Sequence, residues 1–193
     1  MNHFPRIPTM FRKLLLAALV LVQFGRSQAA GQAAAPSFSC ADTVEAALGA
    51  FRGSWHVRAL FRTGPGTWDT TAASSTFIPD LVGCVLRQEY RGRRYGEPYT
   101  YLALWGANGF PERRIQRFFA HSLHGIFDVS AGMFHGDTLE LESRLTVQGQ
   151  ALIQQTRITR PRAGEFSQTD RRSTDGGSTW TETLRATYRR DAP

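Results

Sequence analysis

The chain has 193 residues and a mass of 21.5 kDa, the size of a single domain. With 41% hydrophobic, 11% aromatic and 20% charged residues and only two cysteines, it is neither disordered, collagenous nor cysteine-stapled. The formal charge of +7 is misleading: Arg6, Arg12, Lys13 and Arg26 all precede residue 30, where there is no Asp or Glu, and beyond it 19 basic residues face 16 acidic ones. A net +3 is too small to predict a nucleic-acid partner.

The first element in chain order is a leader. Arg12 and Lys13 precede the apolar run Leu14 to Gly25, and Ser27-Gln28-Ala29 offers a small-residue cleavage site. This predicts a cleaved signal peptide over residues 1–29 and a flexible spacer over 30–39, with one domain over 40–190. Twelve residues fall short of the roughly 20 that span hydrocarbon, so no transmembrane anchor is expected in the mature form. The expected location is exported, periplasmic or secreted. In that compartment Cys40 and Cys84 are read as a disulfide, the alternative being two thiols, one of them reactive. A bridge closing about 45 residues stabilises by up to about 4 kcal/mol in the chain-entropy view.

One short helix follows. Asp42 is the expected cap, Val44, Ala47, Leu48 and Phe51 form one apolar stripe, and Gly53 ends the element. Beyond it the period changes to two. Trp55-Val57-Ala59-Phe61 alternates with polar neighbours, Gly64-Pro65-Gly66 turns the chain, and Trp68 to Ile78 runs to Pro79-Asp80. Leu86-Gln88-Tyr90 alternates with Arg87-Glu89-Arg91, and Tyr99 to Leu104 is apolar on both faces. Shorter strands are read at Arg113 to Ala120, Gly125 to Val129 and Met133-Phe134. Leu139 to Val147, Leu152 to Thr159, Glu165 to Ser173 and Trp180 to Arg189 complete the set. About ten strands with frequent turn signals give an all-β fold, an antiparallel up-and-down barrel with the short N-terminal helix plugging one end.

A helix leading into Gly53-Ser54-Trp55, about ten strands, and a last strand carrying Arg185 and Arg189 resemble the calycin group, the lipocalins and fatty-acid-binding proteins. The layout is also similar to that of uncharacterised exported bacterial barrels. The resemblance implies that Gly53 permits a sharp entry, that Trp55 seals the barrel floor, and that Arg185 or Arg189 lies over the indole. Two family features are missing. No Thr-Asp-Tyr-like turn occurs in mid-chain, and Arg185 and Tyr188 are three residues apart, so they face opposite ways rather than forming the carboxylate clamp of the fatty-acid-binding proteins.

Three further patterns carry chemistry. Ser173-Thr174-Asp175-Gly176-Gly177-Ser178-Thr179-Trp180 matches a sialidase Asp-box. A single copy in a chain this small reads as a hairpin device, with Asp175 accepting turn N–H groups, Gly176 at positive φ and Trp180 packed beneath. His121 and His124, with Asp128 and His135 nearby, are weak metal candidates in a loop setting; no metal or other cofactor is predicted. The arginines at 91, 93 and 94, and at 157, 160, 162, 171 and 172, read as solvated surface, the alternative being contact with anionic headgroups or polysaccharide.

The function expected from these elements is non-enzymatic binding of a small apolar or amphipathic ligand inside the barrel. The expected lining is Phe61, Gln88, Tyr90, Tyr101, Leu141 and Tyr188, all at inward strand positions. Two alternatives stand beside it: an envelope module that binds through its outer surface, and a hydrolase or isomerase working at the barrel mouth.

Overall fold

The structure, a computed structural model, describes residues 39–107, 114–123 and 127–190. The leader and His124 lie outside the described residues.

Helix α1 spans Cys40–Leu48 and continues into a 3-10 turn at Gly49–Phe51. Its cap is Ser39, not Asp42: the Ser39 hydroxyl accepts the Asp42 N–H at 3.2 Å, and Asp42 sits in the first turn, where its charge favours the helix dipole. Val44, Leu48 and Phe51 bury one face, as the spacing requires. The Cys40–Cys84 disulfide, with a Cα–Cα distance of 4.9 Å, ties the helix to the β2–β3 connection.

The strands are β1 (Gly53–Gly64), β2 (Thr67–Asp80), β3 (Val85–Arg94), β4 (Glu97–Ala107), β5 (Ile115–His121), β6 (Phe127–His135), β7 (Thr138–Val147), β8 (Gln150–Thr159), β9 (Glu165–Ser173) and β10 (Thr181–Arg189). Each pairs antiparallel with its sequence neighbours, and β10 returns to β1 with Val57 opposite Tyr188, closing the barrel. Closure leaves no unpaired sheet edge, which is how a meander of this many strands avoids edge-to-edge association.

The main departure in the strands is β6, a single element where the sequence reads as two fragments. Gly132 looks like a breaker, but it is a close-approach site. A Cβ there would lie 1.7 Å from the Glu140 carbonyl oxygen of β7, so only glycine allows the two backbones to pair at this point.

Alternation sends one side chain in two into the interior, which is packed in layers. At the helix end, Phe77, Leu86, Trp105, Leu139, Ile158 and Phe166 close on Leu48 and Phe51, leaving a void of only about 10 Å³. Trp55 is buried in this floor: its indole N–H donates to the Phe51 carbonyl at 2.8 Å, and its ring meets Phe166 edge-on at 4.7 Å.

The guanidinium over Trp55 belongs to Arg190, at 4.4 Å from the ring centroid, and neither to Arg185 nor to Arg189. The reason is geometric. Arg185 and Arg189 occupy outward positions of β10; Arg185 lies over Trp68 at 4.9 Å and pairs with Glu182, while Arg189 pairs with Glu165 at 2.7 Å. The underside of the barrel is reached only by the residue just past the strand. From there Arg190 also donates to the carbonyls of Ala50 and Arg52.

Candidate ligand-binding site

Away from the helix, the interior does not fill. A cavity of about 120 Å³ is walled by Phe61, Tyr90, Tyr99, Tyr101, Phe119 and Tyr188, together with Arg94, Arg117, His121, Gln168 and Asp170. Its floor is a polar layer built by inward side chains of β3, β4, β9 and β10. The Gln88 amide donates to Tyr101 Oη at 2.7 Å and to Ser75 Oγ at 3.1 Å, and its carbonyl accepts the Trp105 indole N–H at 3.1 Å. Tyr188 donates to Gln168 Oε1 at 3.0 Å, and the Gln168 amide donates to Asp170 Oδ1 at 3.0 Å. Such a chain satisfies groups that would each be costly to bury alone, and it fixes their orientation.

Above it stand the tyrosines. Tyr90 and Tyr101 stack with centroids 4.6 Å apart, and Tyr101 meets Phe119 at 4.9 Å. Burial pushes the Tyr99 and Tyr188 phenols up to about 12, and holds Tyr90 and Tyr101 well above the usual phenol range. Burial likewise raises the Asp170 carboxyl, against the lowering influence of Arg117 and its hydrogen bonds. Most of the wall is therefore neutral at physiological pH, and the arginines stand out against it.

Arg117 projects inward from β5 at 4% exposure. It donates to Ser130 Oγ at 3.1 Å and Thr156 Oγ1 at 3.3 Å, and lies 5.3 Å from the Trp105 ring and 5.4 Å from Phe119. Arg94, near the end of β3, sits over Phe61 and Tyr99 at 5.0 and 5.5 Å. Neither makes an ion pair among the described residues, whereas nine ion pairs tie up charges elsewhere on the barrel.

Of the six residues expected to line the interior, Phe61, Tyr90, Tyr101 and Tyr188 border this cavity. Gln88 lies one layer below, at the small void under the helix, and Leu141 is fully buried in packed core. The residues sequence reasoning missed are Arg117, Phe119, Asp170 and Arg94. The alternation Ile115-Arg117-Phe119-His121 held the signal for the first two, since Ile115 at the floor sets the inward parity. Arg94 reads from sequence as part of the solvated tip, although it shares parity with Leu86, Gln88 and Tyr90.

The remaining candidates have other places. His121 ends β5 on the cavity wall, its Nδ1 accepting the Leu123 N–H at 3.3 Å. Asp128 is buried on β6 and accepts from Ser143 Oγ at 3.1 Å. Among the described residues no three His, Cys, Asp or Glu side chains are placed to hold a metal ion. The Asp-box segment joins β9 to β10. Asp175 accepts the Thr179 N–H at 2.9 Å and its hydroxyl at 2.6 Å, which holds its carboxyl well below the usual range. Gly176 and Gly177 take φ of 72° and 98°, and half-buried Trp180 donates to the Gly177 carbonyl under Arg171.

Fold and site together define a class: a closed ten-stranded antiparallel barrel, floored by a short helix, with a mixed aromatic and cationic cavity in the opposite half. No family model matches the chain, and no curated protein matches it. Solved structures share the architecture. Rv2717c from M. tuberculosis superposes with a TM-score of 0.56 at 20% identity, over 78% of this chain and 98% of that one. The S-type phycobiliprotein lyase CPES from Guillardia theta gives a TM-score of 0.51 at 12% identity, over 75% of this chain and 90% of that one. At these identities the likeness is one of fold.

Proposed function

We propose that this is an exported calycin-like barrel that binds a small amphipathic molecule in the interior without transforming it. The observation that carries the reading is the contrast between the two halves of one interior. The floor is packed almost without voids, while the upper half keeps about 120 Å³ behind rigid aromatic walls with convergent polar groups. A core selected only for stability would fill that space, because voids forfeit dispersion contacts. The disulfide, and a leader of signal-peptide character, support export. The structural neighbour named a lyase shares the barrel; the wall here supports binding, because burial holds its phenols protonated and so weakens them as bases or nucleophiles.

The test is to purify the mature protein, extract it with organic solvent, and compare native mass spectra before and after. A panel of one-ring and short-chain amphiphiles follows. The reading predicts a removable adduct or saturable binding of at least one panel member. Uniform failure, with a crystal structure showing the cavity filled by side chains, would remove it.

A second reading, docking through the outer wall, has its own observation. Leu102, Phe127, Val129 and Met133 are exposed on β4 and β6, the two strands flanking β5, whose outward Phe118 lies between them and stacks on Phe127 at 5.4 Å.

A further inference from the structure

The ligand class follows from one anomaly, the charge on Arg117. A cation taken out of water costs several kcal/mol unless an anion compensates it. Arg117 is 4% exposed, yet no carboxylate stands within ion-pair distance among the described residues. Two hydroxyls and two ring faces hold it in place, and Nη1 makes no hydrogen bond among the described residues. Arg94 repeats the pattern on the same cavity: three rings surround its guanidinium, its Nη2 donates to Tyr95 Oη at 3.3 Å, its Nε is buried without a partner, and it too closes no ion pair among the described residues. The one acid among the described wall residues, Asp170, accepts from Gln168 and feels both arginines as charges, Arg117 the more strongly, but closes an ion pair with neither.

Size and wall chemistry complete the description. A volume near 120 Å³ is close to the roughly 150 Å³ that accommodates benzene in an engineered cavity, and far below that of drug-sized pockets. Long acyl chains do not fit. Tyr101, Phe119 and Tyr188 border the cavity and give another ring aromatic partners, Tyr101 and Tyr188 each already stacked on one side, on Tyr90 and Phe166.

We propose that the cavity takes a one-ring aromatic carboxylate, its carboxylate on the Arg117 guanidinium under the added positive potential of Arg94, and its ring against Tyr101, Phe119 and Tyr188. The inference rests on the interior-binding reading above and specifies it. A guanidinium suits a carboxylate because its planar N–H groups match the two oxygens, and that bond is stronger in a water-poor site.

The experiment is isothermal titration of the full mature protein with benzoate, benzyl alcohol and acetate, repeated on Arg117→Met, Arg117→Lys, Arg94→Met and Asp170→Asn, with near-UV circular dichroism to confirm folding. The proposal predicts that benzoate binds at least ten times more tightly than benzyl alcohol or acetate. Arg117→Met removes at least tenfold of the benzoate affinity and leaves benzyl alcohol within twofold. Arg94→Met weakens benzoate three- to tenfold, and Asp170→Asn tightens it by removing a carboxylate from the wall. If Arg117→Met fails to fold, Arg117→Lys, which keeps the charge and loses the fork, is expected to weaken benzoate severalfold. Benzyl alcohol binding as well as benzoate, with Arg117→Lys and Arg94→Met indifferent, would overturn this inference and leave interior binding standing. Acetate equal to benzoate would overturn the aromatic assignment. Absence of binding by all three probes would overturn the ligand class, and the broader panel then decides the reading beneath it.

Discussion

Replacing Arg190 by methionine separates the floor that the structure contains from the one the sequence suggests. The guanidinium sits 4.4 Å over Trp55 and donates to the carbonyls of Ala50 and Arg52. A cation over a tryptophan at a partly wet site contributes about 1 kcal/mol. Both hydrogen bonds are exposed, so each falls near the low end, about 0.5 kcal/mol. Methionine keeps much of the apolar stem, which leaves an expected loss of about 2 kcal/mol. With a urea m-value of about 2 kcal/mol per molar for a domain of this size, the midpoint falls by about 1 M. Arg189→Met removes only an exposed pair with Glu165, expected to cost less than about 0.5 kcal/mol. The assay is urea unfolding followed by tryptophan fluorescence with the disulfide intact, all variants in one buffer. If Arg190→Met is indistinguishable from Arg189→Met, or Arg189→Met is the costlier, the assignment of the floor cation is wrong.

Three further outcomes follow from the same structure. Burial raises the Asp170 carboxyl in the folded state, so the folded chain holds that proton more tightly than the unfolded one, and stability falls as pH rises from about 4. Asp170→Asn is therefore expected to raise Tm at pH 7 and to lose that advantage below about pH 4, as thermal melts across pH will show; a gain that persists at pH 3 would contradict the cause given. Four of the five tyrosines, 90, 99, 101 and 188, have raised phenols, so absorbance at 295 nm is expected to show them un-ionised in the folded protein at pH 11 and released together when alkali unfolds it. Val82 is a β-branched residue at φ 57° and almost fully exposed; Val82→Asn should stabilise by about 1 kcal/mol, measured by the same urea titration, and no gain would mean that the turn carries no strain.

The barrel was legible because alternation and turns are local. A side chain's parity fixes its face, and the run Trp55-Val57-Ala59-Phe61 is buried as its pattern requires. Strand number follows from the same information, whereas closure is read from the need to remove sheet edges and the disulfide from a cysteine pair behind a signal-like leader. What sequence did not reveal depends on layers, which are set by how strands stagger around the barrel. Leu141 and Tyr101 share inward parity, yet one is packed core and the other borders the cavity. Arg190 lies beyond the last alternating residue, where parity has no meaning, and Ser39 outcompeted Asp42 by standing one residue outside the first turn. Arg117 was hidden by the expectation that arginine faces water; only coordinates show that two rings and two hydroxyls shelter it.

The most direct measurement for the whole account is a carbon–proton NMR titration of the aromatic rings with the small-molecule panel. The account predicts saturable shifts at Tyr101, Phe119 and Tyr188, inside the barrel, with Phe118 and Phe127 on the outer wall unmoved. Shifts confined to Phe118 and Phe127, or none for any member of the panel, would contradict it.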